Sequence, residues 1–357
     1  MDALLAEWAD RVRAASGRRE PLCIRAGGSK HFYGNAPRGE IFDPRAWRGV
    51  ESHEPSELVL TARAGTPLAE IESQLAARGQ MLAFEPPHFG PEATLGGCIA
   101  AGLSGPRRAA AGYTYGSLRD AVLGARLLDG QGRLLRFGGT VIKNVAGYDV
   151  ARLLAGSLGI LGVLIDVSLK VLPLPAMERT LRFEMPERQA LETLQQWGAQ
   201  PLPLSASCWL ERALWLRLSG AAPAVEAGVR ALGGESIDTD AAGRFWREVR
   251  EQQHAWFAGE APLWRVSLPG AAEPLDLDAP QLIEWGGALR WLRGSMPAEQ
   301  IRERARRLGG HATLFRGGDH HDVFTPLSAP LLAIHRRLKQ EFDPAGIFNP
   351  GRMYAEL

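Results

Sequence analysis

Apolar residues recur every three or four positions at the start of the chain. Leu4, Leu5, Trp8 and Val12 fall on one side of a helix, so residues 2–15 are predicted to form an amphipathic helix. The polar residues between them would face solvent. This helix is the first element of the predicted fold.

Short apolar runs that stop at glycine or proline follow this helix. Residues 21–25, 58–63 and 81–84 have the length and the flanking residues of buried strands. Between the second and third runs, Thr66 is predicted to be the N-cap of a helix that has Pro67 at its first position.

The middle of the chain predicts a hairpin. Strands at 121–128 and 134–137 are separated by Asp129-Gly-Gln-Gly132, and Asp-Gly between apolar runs is a strong hairpin signal. A helix is expected through Leu154, and the β-branched run at 160–171 predicts a further strand.

The pattern changes after Pro173 and Pro175, which mark the predicted domain boundary. Beyond them, glycine clusters become rare, tryptophans become frequent, and strands and helices alternate, so we expect an α+β fold of two domains. The predicted elements are strands at 204–209 and 214–218 and helices at 224–232, 298–308 and 329–342.

Composition excludes several classes of function. The 357 residues are 45% hydrophobic and 23% charged with a net charge of +1, which is ordinary for a globular enzyme and gives no attraction to nucleic acid. The three cysteines are far apart, which excludes an iron–sulfur cluster held by this chain alone and disfavours a disulfide framework. No signal peptide or membrane-spanning run is recognised, so a reducing cytoplasm is the expected location.

Glycines are concentrated in four segments of the first half of the chain. The segments are Arg25–Lys30, Thr94–Gly102, Gly112–Gly116 and Lys143–Asp149, and each adjoins a predicted strand or helix. Glycine permits positive φ and lets a ligand approach bare amide groups within hydrogen-bonding distance. Several such segments together predict one long, phosphate-bearing ligand that contacts many parts of the chain.

The first two segments offer the best phosphate contacts, and both have a structural alternative. A strand that ends in Gly-Gly-Ser-Lys can place amides and a hydroxyl around a diphosphate, or it can be an ordinary turn. The small residues of 94–105 suit a ligand at a helix start, or tight helix packing without one. The spacings of a nucleotide-hydrolysing P-loop and of a Rossmann fingerprint are both missing, which disfavours those functions.

Two further segments offer polar groups and turns. The lysine, asparagine and tyrosine of Lys143–Tyr148 are candidates for ligand contact, although the asparagine or tyrosine could instead cap the next helix. Gly156, Gly159 and Gly162 are spaced by three, and their backbone groups could recognise an adenine or another heterocycle. The alternative for these glycines is a turn and bulge that enters the following strand.

Taken in order, the four segments resemble the FAD domain of the vanillyl-alcohol oxidase/p-cresol methylhydroxylase (PCMH) superfamily. The tail, Phe342-Asp-Pro344 followed by Asn349-Pro-Gly351, is similar to the closing segment of the same superfamily. The resemblance implies a PCMH-type FAD domain of two α/β subdomains and a smaller α+β cap domain. The implied divisions are 1–175 for the FAD domain, 176–325 for the cap and 326–357 for a segment that returns to the FAD domain.

The resemblance also implies where FAD is bound, with the diphosphate over Gly27–Lys30 and Thr94–Gly97 and the flavin near Lys143–Tyr148 and Asn349. Lys143 is a candidate for stabilising the anionic reduced flavin beside its N1/C2 carbonyl. The expected cofactor-binding residues are Arg25, Ala26, Gly27, Gly28, Ser29, Lys30, His31, Pro86, Thr94, Leu95, Gly96, Gly97, Gly102, Gly105, Gly112, Gly116, Asp120, Lys143, Asn144, Gly147, Tyr148, Gly159, Gly162, Val163 and Asn349.

Two departures from the superfamily bear on chemistry. Members that attach flavin covalently often have histidine after the first Gly-Gly, where this chain has Ser29, so non-covalent FAD is expected. Related 2-hydroxy-acid dehydrogenases hold a divalent metal and the substrate carboxylate with a histidine pair and a Glu-His that this chain lacks, so no metal is expected. Asp319–Asp322, with two histidines, is interpreted as a solvated loop, with metal binding or acid–base catalysis as the alternative.

In finer detail, Lys143–Asp149 and the tryptophan-rich segment Glu284–Trp291 resemble the flavoprotein subunits of bacterial glycolate oxidases. The tryptophans are interpreted as core, or alternatively as a flavin-facing pocket. The resemblance implies oxidation of glycolate, a small 2-hydroxy acid, to glyoxylate, with a second flavoprotein subunit and an iron–sulfur subunit as partners, and peripheral membrane attachment only through such partners. No catalytic residue is identified, and the alternatives are a stand-alone FAD oxidase or dehydrogenase, an electron-relay subunit, or a flavin-free scaffold.

Overall fold

The computed structural model describes residues 2–108, 116–140 and 148–357, and it confirms the α+β class. The first helix, α1 (Ala3–Arg18), begins one residue after the predicted start and continues three residues beyond position 15. Its N-cap is Asp2, whose Oδ1 accepts a hydrogen bond from the Leu4 amide at 3.0 Å. Leu5, Trp8 and Val12 are buried, as the helical spacing requires.

The strands between residues 22 and 173 form one five-stranded sheet and two smaller pairs within the described residues. The sheet has the order β3-β4-β8-β6-β7, and all neighbours in it are antiparallel. β1 pairs with β2 in parallel, and β5 pairs with β9. The bounds are β1 (Leu22–Ile24), β2 (Glu40–Phe42), β3 (Val50–Glu54), β4 (Val59–Arg63), β5 (Gln80–Met81), β6 (Val122–Leu128), β7 (Leu134–Gly138), β8 (Val163–Lys170) and β9 (Leu172–Pro173).

Three short helices pack beside this sheet: α2 (Leu68–Ala76), α3 (Leu95–Ala101) and α4 (Leu118–Ala121). The prediction that Thr66 caps α2 is wrong, because the N-cap is Pro67 and makes no side-chain cap bond. The hydroxyl of Thr66 donates instead to the Arg63 carbonyl at 2.7 Å. The same hydroxyl oxygen accepts the Gly49 amide at 2.9 Å, so the side chain holds the turn after β4 and not the helix start.

The predicted hairpin is confirmed, since β6 and β7 pair antiparallel across the Asp129 turn. Oδ1 of the buried Asp129 accepts the amides of Gln131 and Arg133 at 2.9 and 2.8 Å. The helix expected through Leu154 is a 3₁₀ turn, Ala151–Leu154.

Two predicted strands are longer than those observed. Of residues 81–84, only the first continues β5, because a turn bond from the Glu85 amide to the Leu82 carbonyl redirects the chain. The run at 160–171 shortens to β8, because Gly162 has φ +151° and its turn precedes the sheet pairing.

The residues after 176 form a single eight-stranded antiparallel sheet, in the order β13-β10-β12-β11-β15-β16-β14-β17. The predicted strand pair at 204–218 is confirmed as β11 and β12. The bounds are β10 (Met177–Glu184), β11 (Leu204–Leu210), β12 (Ala213–Gly220), β13 (Glu235–Ile237), β14 (Leu263–Ser267), β15 (Gln281–Glu284), β16 (Leu289–Arg293) and β17 (His311–Arg316).

Four helices accompany this sheet, and two of them were predicted. They are α5 (Glu187–Gly198), α6 (Ala222–Leu232), α7 (Thr239–Arg250) and α8 (Ala298–Arg307). One aromatic cluster joins the two parts of the molecule, because Tyr33, Leu103 and Leu158 pack with Trp285 and Phe315 of the large-sheet region.

The tail returns to the first strand. α9 (Ala329–Phe342) has the predicted bounds, and it ends at a buried ion pair in which Lys339 Nζ lies 2.7 Å from Asp343 Oδ2. Asp343 also accepts the amide of Phe348 at 2.7 Å, and Phe348 then bridges to Leu22 of β1. The tail thereby extends the β1–β2 pair and reaches the glycine loop that follows β1.

Candidate functional site

A cleft opens between the loop after β1, the start of α3 and the tail. Its volume is about 620 Å³ including its open mouth, and a pocket of about 520 Å³ continues it. The two parts share the wall residues Ile24, Ala26, Gly97, Ala100, Leu158 and Asn349, so they form one elongated groove. Such a groove suits a long ligand with apolar and anionic parts.

The loop Arg25–His31 forms one side of the cleft. Gly28 has φ +70°, which glycine adopts without strain, and the His31 amide bonds to the Gly28 carbonyl at 2.9 Å. This tight turn follows directly from β1 and presents Ser29 and Lys30 to the cleft.

Lys30 brings a positive charge to the cleft. Its ammonium donates to the His88 carbonyl at 3.1 Å and lies 5.6 Å from the centroid of the Phe89 ring. None of the carboxylates in the described residues pairs with it at ion-pair distance. Burial lowers the pKa of Lys30, while Cys98 and Glu251 act in the opposite direction. A cation held in this way attracts an anionic ligand group.

The start of α3 forms the facing side. Thr94 is its N-cap, and its hydroxyl oxygen accepts the Gly97 amide at 3.3 Å. A Cβ built on Gly97 would meet only this hydroxyl, also at 3.3 Å, whereas one on Gly96 would lie 2.9 Å from the Cβ of Ala64. Gly97 therefore leaves room for a ligand. Gly96 leaves room for Ala64, which follows β4 in the same chain.

The other predicted glycines serve close packing. A Cβ on Gly102 would meet Gly156 Cα at 2.7 Å, and one on Gly105 would meet the Glu85 carbonyl at 2.2 Å. Gly162 is similarly close to the Leu128 carbonyl, at 2.6 Å. For most of the segment 94–105, the packing alternative thus describes what the glycines do.

Two polar side chains of the tail hold the cleft in shape. Asn349 accepts the Ile24 amide at 2.8 Å and donates to the Leu158 carbonyl at 2.6 Å. Arg352 donates to the carbonyls of His31 and Tyr33 at 2.7 and 2.6 Å. Asn349 lines the groove, and its side-chain amide is occupied by backbone groups.

Arg352 was not identified from the sequence. It is buried and lines the cleft, and it supports the loop after β1 through backbone carbonyls. Burial lowers the pKa of its guanidinium, and Cys23 opposes that shift. The signal available in the sequence was its place immediately after the Asn-Pro-Gly of the tail.

The structure brings together most of the residues expected at the cofactor. Those that line the groove are Arg25, Ala26, Gly27, Gly28, Ser29, Lys30, His31, Thr94, Gly96, Gly97, Gly159, Gly162, Val163 and Asn349. Those that lie elsewhere are Pro86, Leu95, Gly102, Gly105, Gly116, Asp120 and Tyr148. Gly112, Lys143, Asn144 and Gly147 lie outside the described residues.

Residues placed away from the groove have other roles. Leu95 is fully buried in the core, and Asp120 forms a capping box with Ser117 at the start of α4. The side chain of Tyr148 is 94% exposed. These three contribute no group to the groove wall.

The structure also shows the positions of the two segments for which the sequence allowed alternative interpretations, residues 319–322 and 284–291. Asp319, His320, His321 and Asp322 are exposed, and no metal-binding cluster of three such side chains occurs among the described residues. Trp285 and Trp291 are buried in the aromatic cluster, which agrees with their interpretation as core.

The groove has the features that FAD requires. Lys30 supplies a cation without a carboxylate partner among the described residues. Gly97 leaves open space at a capped helix start, and Ile24, Ala100 and Leu158 supply apolar walls. Lys30, Ser29 and the amides around Gly28 and Gly97 would hold the diphosphate. The donor set therefore fits the cofactor implied by the sequence.

Comparison with known proteins supports the same cofactor. Residues 5–138 match the family described as "FAD binding domain". The glycolate oxidase subunit GlcE of Escherichia coli (strain K12) is 50% identical over 348 residues, which are 98% of this chain and 97% of that protein.

More distant relatives share part of the chain. The D-lactate dehydrogenase of Archaeoglobus fulgidus is 28% identical over 57% of this chain and 45% of its own length. The glycolate oxidase subunit GlcD of Bacillus subtilis is 29% identical over 46% of this chain and 35% of its own. An alkyldihydroxyacetonephosphate synthase structure covers 96% of this chain and 74% of its own, with a TM-score of 0.66 at 14% identity, which shows a shared fold.

Proposed function

Because the chain belongs to the family of FAD-binding oxidoreductases that includes glycolate oxidase subunit GlcE, we propose that it is the FAD-binding subunit of a glycolate-oxidising complex. The observation that carries the proposal is 50% identity along almost the whole of both chains. The bound FAD would accept the two electrons released when a 2-hydroxy acid becomes a 2-oxo acid.

The chain's own residues bind and position this cofactor. We propose that Lys30 and the amides of the loop after β1 pair with the diphosphate, and that Asn349 and Arg352 keep that loop in place. Ser29 stands where a covalent histidine link would otherwise form, which supports non-covalent binding. His31 also lines the groove, so its imidazole must stay unmodified for this proposal to hold.

The same proposal divides the chain into domains. We assign residues 1–175 to the FAD domain, 176–325 to the cap and 326–357 to the segment that returns to the FAD domain. The eight-stranded sheet, which begins at Met177 and ends at Arg316, supports this division. The bonds from the tail to β1 support the return.

Electrons must leave this chain through a partner. Cys23, Cys98 and Cys208 are buried, free and far apart in sequence, and burial raises the pKa of each thiol. We therefore propose an iron–sulfur subunit and a second flavoprotein subunit as partners. Among the described residues, no helix is both long and apolar enough to cross a membrane, so we propose that membrane attachment occurs through partners.

The test is a visible absorption spectrum of the gently purified chain, followed by acid precipitation. Flavin bands and release of the flavin into the acid supernatant are expected. Reduction of those bands by glycolate in the co-purified complex would establish the substrate. A colourless protein would refute FAD binding, and flavin that stays with the precipitate would refute non-covalent attachment.

A further inference from the structure

A second cavity lies between α7, β10, β12 and the loops after β5 and α3. Its volume is about 350 Å³, which is within the range of small-molecule pockets, and it shares no lining residue with the cofactor groove. The charged residues that line it include two glutamates, Glu85 and Glu178. We call it the arginine cavity, because five of its lining residues are arginines: Arg107, Arg179, Arg217, Arg247 and Arg250.

Two of these arginines are matched by the two carboxylates. Arg217 binds Glu85 with both terminal nitrogens, at 3.0 and 2.9 Å. Arg107 lies 2.8 Å from Glu178 and 3.1 Å from Glu85. Burial acts to raise the pKa of Glu85, but the charges of Arg217 and Arg107 outweigh it and lower this pKa to about 2. Glu85 therefore stays ionised, and the buried end of the cavity is close to neutral.

The other three arginines carry more charge than their partners neutralise. Arg250 pairs with Glu251 at 2.8 Å. Arg179 donates to the backbone carbonyl of Glu178 at 3.0 Å and forms no ion pair with the described residues. Arg247 forms neither a hydrogen bond nor an ion pair with any residue that the structure describes. Because Arg179 and Arg247 are exposed, the open end of the cavity has two guanidinium charges without a carboxylate.

One side of α7 forms the wall beside these charges. Its residues recur every three or four positions and all line the cavity: Thr239, Ala242, Gly243, Trp246, Arg247 and Arg250. A Cβ built on Gly243, near the middle of this side, would meet nothing within 4 Å outside its own helix. Glycine inside a helix is less favourable than alanine, and here no neighbour requires it. What the missing side chain of Gly243 provides is space in the cavity.

The large sheet contributes a hydroxyl group to the cavity. Thr180 of β10 is buried and lines the cavity. Its Oγ1 accepts the indole N–H of Trp246 at 2.9 Å, which fixes the side chain. In the described part of the chain nothing accepts the proton of this hydroxyl, so the group can still donate a hydrogen bond. The cavity thus combines guanidinium groups with a neutral donor.

We propose that the arginine cavity binds a small anion with two or more negative charges, as dicarboxylates and phosphate compounds have. Arg179 and Arg247 pair with its charged oxygens, because the planar guanidinium group binds carboxylate and phosphate with two parallel hydrogen bonds. Thr180 donates to a further oxygen of the same ligand. An anion with a single charge leaves one guanidinium group unpaired, so the number of charges is the basis of selectivity. The site is separate from the proposed flavin site.

The size of the cavity favours a small molecule over an acidic segment of a partner protein. Stable protein interfaces bury roughly 800 Å² on each partner, and most of that area is not concave. The arginine cavity is a compact space whose inner wall includes Arg107 and Arg217, and the side chains of both are 5% exposed. Its excess charge is confined to one rim, which matches a ligand of a few charged groups.

The experiment measures binding by calorimetry on the full chain saturated with FAD, at matched ionic strength. The probes are malonate with two carboxylates, pyrophosphate with two phosphates, and acetate with one carboxylate. Malonate or pyrophosphate should bind about tenfold more tightly than acetate, and the tighter of the two identifies the class of ligand. Arg179→Gln and Arg247→Gln should each weaken that binding roughly tenfold. Gly243→Leu should abolish it by filling the cavity, while the unfolding midpoint does not fall, because leucine favours helix.

Arg244→Gln is the matched control, because Arg244 is exposed on the same helix and does not line the cavity. It should change the affinity by less than about twofold. If Gly243→Leu does not fold, the two variants of exposed arginines keep the test. Equal affinities for the three probes, or equal losses in Arg244→Gln and Arg247→Gln, would refute the site. If no small anion binds and the arginine variants instead fail to assemble with partner subunits, the cavity is a protein contact and the proposal is wrong.

Discussion

The cofactor groove and the surroundings of Glu284 in the large sheet use polar side chains in opposite ways. In the groove, Asn349 and Arg352 give their polar atoms to backbone groups, so the ligand meets mainly loops and one lysine. In the large sheet, Glu284 is a buried carboxyl whose Oε2 accepts the indole N–H of Trp291 at 2.7 Å, and it forms no ion pair with the described residues. The contrast separates polar side chains that hold a site in shape from a buried carboxyl whose protonation state can change.

The largest change in stability is expected at the buried ion pair of Lys339 and Asp343, which holds the tail beside the groove. Asp343→Asn leaves Lys339 buried without a counter-charge, so the free energy of unfolding should fall by about 3–5 kcal/mol. Urea denaturation measures it. Glu303→Gln removes exposed ion pairs and should leave the unfolding midpoint unchanged. Equal stability of the Asp343 variant and the parent would show that this pair does not hold the tail.

Glu284 should make the stability of the protein depend on pH. Because burial raises the pKa of Glu284 from 4.5 to about 7, the folded state keeps a proton that the unfolded state releases between these values. At about 1.4 kcal/mol per pKa unit, the free energy of unfolding should fall by about 3 kcal/mol as pH rises across this window.

Urea denaturation at a series of pH values checks this fall, and Glu284→Gln should remove it. Glu85 does not interfere, because its arginine neighbours lower its pKa to about 2 and its contribution to stability is lost only as pH falls below 4.5. A parent and variant with the same slope between pH 5 and 7 would show that Glu284 does not titrate there.

A smaller effect is expected from a framework residue that carries no charge. Asn349→Ala leaves the Ile24 amide and the Leu158 carbonyl without their partner, at about 1–3 kcal/mol for the unsatisfied groups together. Flavin affinity should fall with stability, since both depend on the same wall. Flavin fluorescence titration and urea denaturation measure the two quantities. A loss of affinity at full stability would instead indicate direct contact between this side chain and the ligand.

The smallest change in stability is expected at Gly97 in α3. Comparing it with Gly96 separates a glycine that leaves room for a ligand from one that leaves room for neighbouring residues. Gly97→Ala adds a methyl group that meets only Thr94, so stability should change by less than about 1 kcal/mol while flavin affinity falls about tenfold. Gly96→Ala should show the reverse pattern, because its methyl group would press on Ala64. If both variants lose stability equally, Gly97 belongs to the packing as well.

The sequence predicted the residues of the groove better than the surroundings of Glu284, for a physical reason. The groove is made by contiguous segments such as 25–31 and 94–97, in which spacing alone identifies a glycine loop and a helix start. The surroundings of Glu284 are made by β14, β15 and β16, whose pairing depends on contacts across the whole sheet. An arginine between Trp264 and Val266 in a buried strand was the one local signal for Arg265.

The wrong predictions from the sequence have the same origin, because a local pattern does not show which residues come together in the fold. Thr66 has the residue type and position of an N-cap, but its hydroxyl bonds within the preceding turn. Gly102 and Gly105 were assigned to the ligand, although they allow close approach of neighbouring backbone. Glycine patterns show where something comes close, and only the fold shows whether it is a ligand or the chain itself.

The bridge between Leu22 and Phe348 has a consequence for how the protein acquires its cofactor. The chain is made from its N-terminal end, so the loop after β1 exists long before the residues that hold its far wall. Closing a contact over more than 300 residues is slow, and it comes after local elements have formed. We therefore expect the complete groove, and with it tight flavin binding, to form only after the tail has returned to β1.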